Sequence, residues 1–225
     1  MSPSSSLSDV GAAVDRVVRA RRTRKVLDGP WLTPPGGPET PEARAAFDRA
    51  VREALGVAGW APFHFARTEE VPEPWRFALL DREAMDAFVA RFPEVLVGKL
   101  PRIFAGAGAL VQATWVPEDD PARAGRDWEH AAAAAAAVQN LLLACEARGI
   151  GSYWCSAAPL GTPEVLSWCG AAPGERWLGA LFLGRPLPAE REAVEGIPGK
   201  LRDRRTPPEA GWLRVVGGGR DTAER

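Results

Sequence analysis

Five cationic side chains and one hydroxyl lie close together near the N-terminus, in the sequence RARRTRK at 19–25. Arginine donates a planar pair of N–H groups, threonine adds a hydroxyl donor, and lysine contributes a point charge. Such a set can clamp an anion, above all a phosphate group. The cluster also follows a predicted helix, whose C-terminal end interacts favourably with cations through the macrodipole. Charge alone leaves the two interpretations open.

Other side chains that carry chemistry are few. One of the two histidines, His64, lies in the loop WAPFHF, where it can either stabilise the loop or contact a ligand. Cys145, Cys155 and Cys169 lack the spacing of metal ligands, which favours reduced thiols. We therefore predict no metal site and assign no catalytic side chain.

A long helix is the element best suited to position these groups. The sequence WEHAAAAAAAVQNLLLACEARG at 128–149 is rich in alanine and leucine, which have high helix propensity. Small and apolar residues occupy every face between 131 and 147, which predicts a helix buried on all sides. Gly149 supplies a left-handed residue that ends the helix. An alanine-rich helix lets another backbone approach closely, which suits the spine of a domain or the centre of a dimer.

Periodicity and turn residues predict the remaining elements. Thr40 and Thr162 are each followed by proline, which is typical of a helix N-cap and first turn. Helices are predicted at 9–22, 41–59, 82–92 and 162–169, and strands at 75–80, 104–116 and 177–183. Residues 117–126 have the composition of a polar loop, 184–210 carry no recognisable element, and 211–216 have the pattern of a last strand.

The length and charge of the chain restrict its class. Its 225 residues predict one domain at 9–216, with a disordered tail at 1–8, a long arm at 184–216 and a frayed end at 217–225. The net charge of −1 argues against nucleic acid or an anionic membrane as a partner. The sequence has no apolar run of about 18 residues and no pattern of a secretory signal. We expect a cytoplasmic protein.

Four segments occur in an order that is characteristic of one enzyme family. They are RRTRKVLDGP at 21–30, APFHF at 61–65 with EPWRFALL at 73–80, AAAVQNLLLACEARGIGSYWCSAAPL at 135–160, and LGALFLGRP at 178–186. In this order they resemble the FMN-dependent nitroreductase family over about residues 20–209. The resemblance implies an α+β fold, a three-layer α/β/α sandwich with a mostly antiparallel central sheet. It also implies a homodimer that binds FMN at its interface, and an arm that wraps the partner subunit.

The resemblance assigns roles at the phosphate end of FMN. The phosphate and ribityl chain would be held by residues of the opening signature, namely Arg21, Arg22, Thr23 and Lys25. Late in the chain, Arg204 and Arg205 resemble the basic residue that closes over the phosphate. Two neighbouring arginines can equally form a solvated charge pair, so this second assignment has an alternative.

The flavin ring would lie against two further segments. The Ala-Pro loop would follow the ring through its first four residues, Ala61, Pro62, Phe63 and His64. The turn after the central helix would place backbone N–H groups at the reactive nitrogen, from Ser156, Ala157 and Ala158. Donors fixed there would stabilise the negative charge that develops on reduction.

The Ala-Pro loop departs from the family pattern at two positions. Val71 stands where the family usually has asparagine, and Glu73 stands where it has glutamine. An amide both donates and accepts, whereas an ionised carboxylate only accepts and would oppose the negative charge of a reduced flavin. We predict a lowered flavin potential, measurable by redox titration, or a Glu73 that turns toward a nearby arginine.

The implied activity is a ping-pong transfer. NAD(P)H would reduce FMN and leave before a nitroaromatic, a quinone or a similar conjugated acceptor binds. Two alternatives remain open. The chain could be a specialised member of the fold, such as a dehydrogenase, a dehalogenase or a flavin-cleaving enzyme, or it could bind flavin without catalysis.

Overall fold

The computed structural model describes residues 7–29, 40–197, 204–206 and 212–213. Four strands lie within them, namely β1 (Trp75–Leu80), β2 (Ala109–Trp115), β3 (Gly151–Cys155) and β4 (Arg176–Gly184). They form one antiparallel sheet in the order β1-β2-β4-β3. The helices of the described residues are α1 (Leu7–Ala20), α2 (Pro41–Ala58), α3 (Arg82–Arg91), α4 (Leu100–Gly106), α5 (Gly125–Ala147), α6 (Pro163–Trp168) and α7 (Ala189–Glu195).

Each face of the sheet has its own apolar core, because successive residues of a strand point to opposite faces. Leu110 and Phe182 pack with side chains of α3, α4 and α6. Val111 and Leu181 pack with side chains of α2 and α5. The predicted combination of helices with an antiparallel sheet is therefore confirmed.

Several predicted elements agree closely with the structure. β1 has the predicted bounds, and β4 is one residue longer at each end than the predicted strand. Thr40 and Thr162 are N-caps, and their hydroxyl oxygens accept the N–H groups of Ala43 and Val165. Gly149 has a φ of 71°, the left-handed conformation expected after α5.

The strand predicted at 104–116 is wrong in its first part. Residues 104–106 are the end of α4, and β2 begins only at Ala109. Pro101 lies in the first turn of α4, where proline favours a helix start. A short buried helix and a buried strand are both continuous apolar runs, so periodicity could not separate them.

Within a single chain the long helix is not buried on all sides. α5 begins at Gly125, three residues before the predicted start, and buries Val138, Leu141 and Cys145 toward α2 and the sheet. Ala132 and Gln139 are exposed in the single chain. Alanine suits buried and exposed helix positions alike, so composition could not distinguish the covered side from the open one.

The segment 184–210, for which no element is predicted, contains the helix α7. Its residues AEREAVE are mostly good helix formers, and Arg191 pairs with Glu195 one turn later at 2.7 Å. Prolines lie on both sides of this short segment, which is why the sequence did not predict a helix there.

Trp212 and Leu213 are not in a strand, and the rest of 211–216 lies outside the described residues, as does 217–225.

The first helix leaves an apolar side open. α1 begins at Leu7, inside the predicted disordered tail, while residues 1–6 lie outside the described residues. None of its residues is buried, and Val10, Val14 and Val18 are 47–55% exposed.

None of the described helices combines the length and hydropathy that crossing a bilayer requires.

Candidate functional site

The basic segment lies against the start of the edge strand β3. Thr23 forms a parallel bridge with Ser152, and the N–H of Arg24 donates to the Ser152 carbonyl at 2.9 Å. Gly151 permits this approach, because a Cβ there would lie 2.7 Å from the Leu27 side chain. This one segment holds the predicted phosphate residues, all partly buried: Arg21, Arg22, Thr23 and Lys25.

The residue at which α1 ends distinguishes the two interpretations of the basic cluster, an anion clamp and an interaction with the helix macrodipole. α1 ends at Ala20, and its last turn contains Arg19 as a basic residue. The remaining cations follow the helix in a non-helical segment that bridges β3 at Thr23. Interaction with the macrodipole therefore applies to Arg19 and to Arg21, whose N–H still donates to the Val17 carbonyl at 2.9 Å. It falls off for the cations that follow, because the effect is confined to the last turn.

The arginines of the basic segment have different partners. Arg24 donates to both carboxylate oxygens of Glu146 in α5, at 2.7 and 3.4 Å, and these side chains are 13% and 14% exposed. Arg22 forms an ion pair with Glu192 of α7. The Nε atoms of both arginines are buried, and neither has a hydrogen-bond partner in the described part of the chain. The segment therefore keeps two N–H donors that the described residues leave unused.

The turn after β3 is held in place by a buried amide. Gln112 of β2 is 2% exposed, donates to the Leu160 carbonyl at 3.0 Å and accepts from the indole N–H of Trp177 at 2.9 Å. Because both ends of this amide are bonded, Leu160 and the turn before it are fixed to the sheet. Sequence reasoning missed Gln112, although an amide inside an otherwise apolar strand is a recognisable signal.

The same turn presents unused backbone donors. The N–H groups of Ser156 and Ala157 make no hydrogen bond with any residue that the structure describes. Ala158 begins a single 3-10 turn that ends at Gly161. Ser156 and Ala158 are exposed and Ala157 is partly buried. These donors follow the strand whose first residues bind the basic segment, so both groups flank β3.

The Ala-Pro loop lies at the other end of the sheet. Ala61 is buried in a small cluster with Trp75, the first residue of β1. The ring of Phe63 meets the ring of Trp75 edge-on, with centroids 5.6 Å apart. Pro62 and His64 are exposed. The loop therefore offers an apolar inner side and an accessible tip.

Side chains tie the Ala-Pro loop to the polar loop and to the start of α5. The contacts are His64 with Glu129 at 3.2 Å, Phe65 with the guanidinium of Arg126 at 4.1 Å, and Arg67 with Glu118 at 3.3 Å. The Arg67 and Glu118 side chains are each 8% exposed, so this pair is largely shielded from solvent. Sequence reasoning treated the two loops separately and did not predict this link.

The two departures from the family pattern have different surroundings. Val71 closes a tight turn, because its N–H donates to the Thr68 hydroxyl at 2.9 Å. Arg76 donates to the backbone carbonyl of Glu73 at 2.6 Å. The Glu73 carboxylate itself makes no hydrogen bond or ion pair with the described residues. The alternative in which Glu73 turns toward an arginine is therefore not what the structure contains.

The basic segment and the Ala-Pro loop are far apart within one chain. Strand register places Ser152, the partner of Thr23, opposite Leu183 of β4. Register also aligns Trp75, beside the loop, with Trp115 and then with Arg176 at the start of β4. Seven residues separate these two positions on β4, which is roughly 23 Å along a strand. Within one chain the two groups therefore lie near opposite ends of β4.

A comparison with protein families identifies the chain. The model of the Nitroreductase family matches residues 43–185, which is more than half of the sequence. The chain belongs to the nitroreductase family. The match includes the Ala-Pro loop, the central helix and the turn after β3, and it begins after the basic segment.

Solved structures of nitroreductase-like proteins share the fold. One from Bacillus cereus has a TM-score of 0.64 and 20% identity, over 97% of this chain and 100% of that chain. A protein from Desulfovibrio desulfuricans, solved in complex with FMN, has a TM-score of 0.58 and 20% identity, over 91% and 98%. A nitroreductase from Bacteroides fragilis with bound FMN has a TM-score of 0.54 and 19% identity, over 91% and 98%. A search of curated proteins finds no match.

The C-terminal arginines of this nitroreductase-family chain lie in a short described range, 204–206. Arg204 and Arg205 are exposed and make no hydrogen bond or ion pair with other residues in the described ranges. The residues on either side, 198–203 and 207–211, lie outside those ranges. Closure of these arginines over a phosphate therefore stays a prediction.

Two of the three free cysteines in this member of the nitroreductase family, Cys145 and Cys169, are not activated nucleophiles. Burial raises the pKa of Cys145 to about 12 and that of Cys169 to about 11. A protonated thiol is a poor nucleophile and a poor metal ligand. Cys155, next to the turn, is buried in the apolar core.

His130 is a buried histidine next to the Arg67–Glu118 pair. It is 2% exposed, its Nε2 lies 4.0 Å from Glu118, and this nitrogen has no hydrogen-bond partner among the described residues. Burial lowers the pKa of His130, and the charge of Arg67 lowers it further. The pKa of Glu118 is also lowered, chiefly by the backbone N–H of Asp120 and additionally by Arg67. The folded protein therefore favours a neutral His130 beside an ionised Glu118.

We expect the stability of the folded chain to fall as the pH drops below the ordinary histidine pKa of about 6.5. In that range the unfolded chain takes up a proton at His130 that the folded chain resists, so protonation favours unfolding. The melting temperature should therefore decrease between about pH 7.5 and about pH 5.5, above the range in which carboxylates titrate. His130→Gln should remove most of this decrease. The control His64→Gln, at the exposed histidine, should retain it, and an undiminished decrease in His130→Gln would contradict the assignment.

Proposed function

We propose that this chain is an FMN-dependent oxidoreductase that uses NAD(P)H and reduces a small conjugated acceptor, such as a nitroaromatic or a quinone. When bound, FMN supplies the redox chemistry, taking electrons from the nicotinamide and giving them to the acceptor in a ping-pong sequence. The protein contributes binding, orientation and electrostatics. Membership of the family and the two FMN-containing neighbours support this proposal.

One observation carries the assignment of FMN to this chain. The buried Nε donors of Arg22 and Arg24 flank Thr23 and lack hydrogen-bond partners within the described residues. Unsatisfied buried donors are costly, and a phosphate would accept from them. Arg21, Thr23 and Lys25 would add further charge and a hydroxyl on the same segment. The residues present therefore fit the anionic tail of FMN.

The turn after β3 fits the ring end of the cofactor. The unused N–H groups of Ser156 and Ala157 would donate to the ring nitrogen at which electrons enter and leave. Because Gln112 fixes the turn from the sheet, these donors would be preorganised rather than recruited during reduction. Glu73 has a free carboxylate among the described residues, and we keep the prediction that it lowers the flavin potential.

A homodimer with FMN at its interface would complete the site. The basic segment and the Ala-Pro loop lie near opposite ends of β4 in one chain, so we propose that Ala61, Pro62, Phe63 and His64 approach the ring of an FMN held by the other subunit. The exposed apolar side of α1 and the open side of α5 provide surface for this association. In this proposal each subunit is a three-layer α/β/α sandwich.

We also propose that the protein is located in the cytoplasm. The described cysteines are free thiols, which persist in a reducing compartment.

The visible spectrum of the purified protein, before and after anaerobic addition of NADPH, tests the proposal. A yellow protein that bleaches supports a flavin oxidoreductase, and subsequent addition of a quinone should restore the colour. A yellow protein that does not bleach favours a specialised or non-catalytic flavin-binding role instead. A protein that stays colourless after incubation with excess FMN and gel filtration would contradict both readings.

A further inference from the structure

The helix α7 is held on the protein by charge. None of its residues is buried, so apolar packing does not anchor it. Arg191 pairs with Asp28 at 2.5 Å, and Glu195 pairs with Arg102 at 3.6 Å. These contacts place the helix next to the segment that follows α1. A helix held by such ion pairs can be displaced by a competing ligand, because partly exposed pairs contribute little stability each.

Glu192 extends this charge network into the proposed phosphate site. Its carboxylate forms an ion pair with the terminal guanidinium nitrogen of Arg22, 170 residues away in sequence. The side chains of Arg22 and Glu192 are 42% and 26% exposed, so the pair is accessible from solvent. A carboxylate and a phosphate bind the same fork of N–H donors. The two anions would therefore compete for Arg22.

We propose that Glu192 is a specificity-determining residue of this site. It occupies a terminal nitrogen of Arg22 that would otherwise bind the FMN phosphate together with the unused Nε, so that FMN competes with it for this arginine. This inference rests on the proposed function, because it concerns the binding of FMN. Riboflavin lacks the phosphate and does not compete with Glu192. The carboxylate thus reduces the preference of the site for FMN over riboflavin and makes the bound FMN easier to exchange.

Flavin affinities of the full-length, flavin-free protein test this inference through the quenching of flavin fluorescence. Glu192→Gln should strengthen FMN binding by about three- to tenfold, the effect of removing one partly exposed competing charge. The affinity for riboflavin should change by less than about twofold, because no phosphate contact is involved. Glu190→Gln is the matched control, since Glu190 is exposed on the same helix and makes no ion pair within the described residues. It should leave both affinities unchanged.

A second background separates competition at Arg22 from a general charge effect. In Arg22→Gln, the further change Glu192→Gln should give no gain in FMN affinity, because the contested donor is gone. An equal gain for FMN and riboflavin, or no gain while the wild type still binds FMN, would overturn the role of Glu192 and leave the proposed function standing. Failure of every variant to bind FMN would overturn the proposed function together with this inference.

Discussion

Replacing Arg22 by glutamine should weaken FMN binding by about 10- to 100-fold, because a hydrogen bond to a charged phosphate contributes about 1.5–3 kcal/mol. Arg22 is the cation of the basic segment with both an unused buried Nε and a displaceable partner, Glu192. Glutamine keeps the polarity of the side chain and removes the charged fork. Calorimetric titration of flavin-free protein with FMN measures the loss directly.

The comparison with riboflavin makes this prediction specific. Riboflavin has the same ring without the phosphate, so its affinity for Arg22→Gln should stay within about twofold of the wild-type value. Arg19→Gln is the control for net charge, since Arg19 is exposed in the last turn of α1 and lies 4.0 Å from Asp15. It should change neither affinity appreciably. A loss shared equally by FMN and riboflavin would mean that Arg22 supports the fold of the site rather than the phosphate.

The fold was largely predictable from the sequence because its signals are local. β1 and β4 are apolar runs bounded by turn residues, and the two threonine N-caps each precede a proline. Such features depend on residues within a few positions of one another. The errors fall where local signals are ambiguous. In α4 a short apolar helix resembles a strand, and along α5 alanine does not reveal which side is covered.

The candidate site was predictable only as a set of segments. Its decisive contacts join residues that are distant in sequence, such as Arg22 with Glu192 and Arg24 with Glu146, 170 and 122 residues apart. A sequence motif assigns the same role to neighbouring arginines. The three-dimensional structure shows that Arg22 and Arg24 have different ion-pair partners. Gln112 illustrates the same limit, because its role depends on the carbonyl of Leu160 and the indole of Trp177.

Replacing Arg24 by methionine should lower the free energy of unfolding by about 2–3 kcal/mol, because it leaves the carboxylate of Glu146 without its partner in a shielded position. The pair is bidentate and fastens the basic segment to α5, with both side chains less than one-seventh exposed. Thermal unfolding should show a melting temperature lower by about 5–10 °C for a chain of this size. Arg24→Met therefore tests the structural role of the pair with Glu146, which is separate from the phosphate contact proposed for the Nε of Arg24.

The double variant Arg24→Met/Glu146→Leu should recover most of the lost stability, because a buried charge costs most when it is unpaired and little when both partners become apolar. Arg148→Met is a matched control at the end of the same helix. Arg148 lies 3.6 Å from Glu53 in a more exposed pair, so its removal should cost less than about 1 kcal/mol. A double variant as unstable as Arg24→Met would show that the side chain of Arg24 stabilises the segment through packing. Recovery in the double variant would instead mean that the terminal nitrogens of Arg24 neutralise a shielded carboxylate, a structural role separate from the phosphate contact proposed for its Nε.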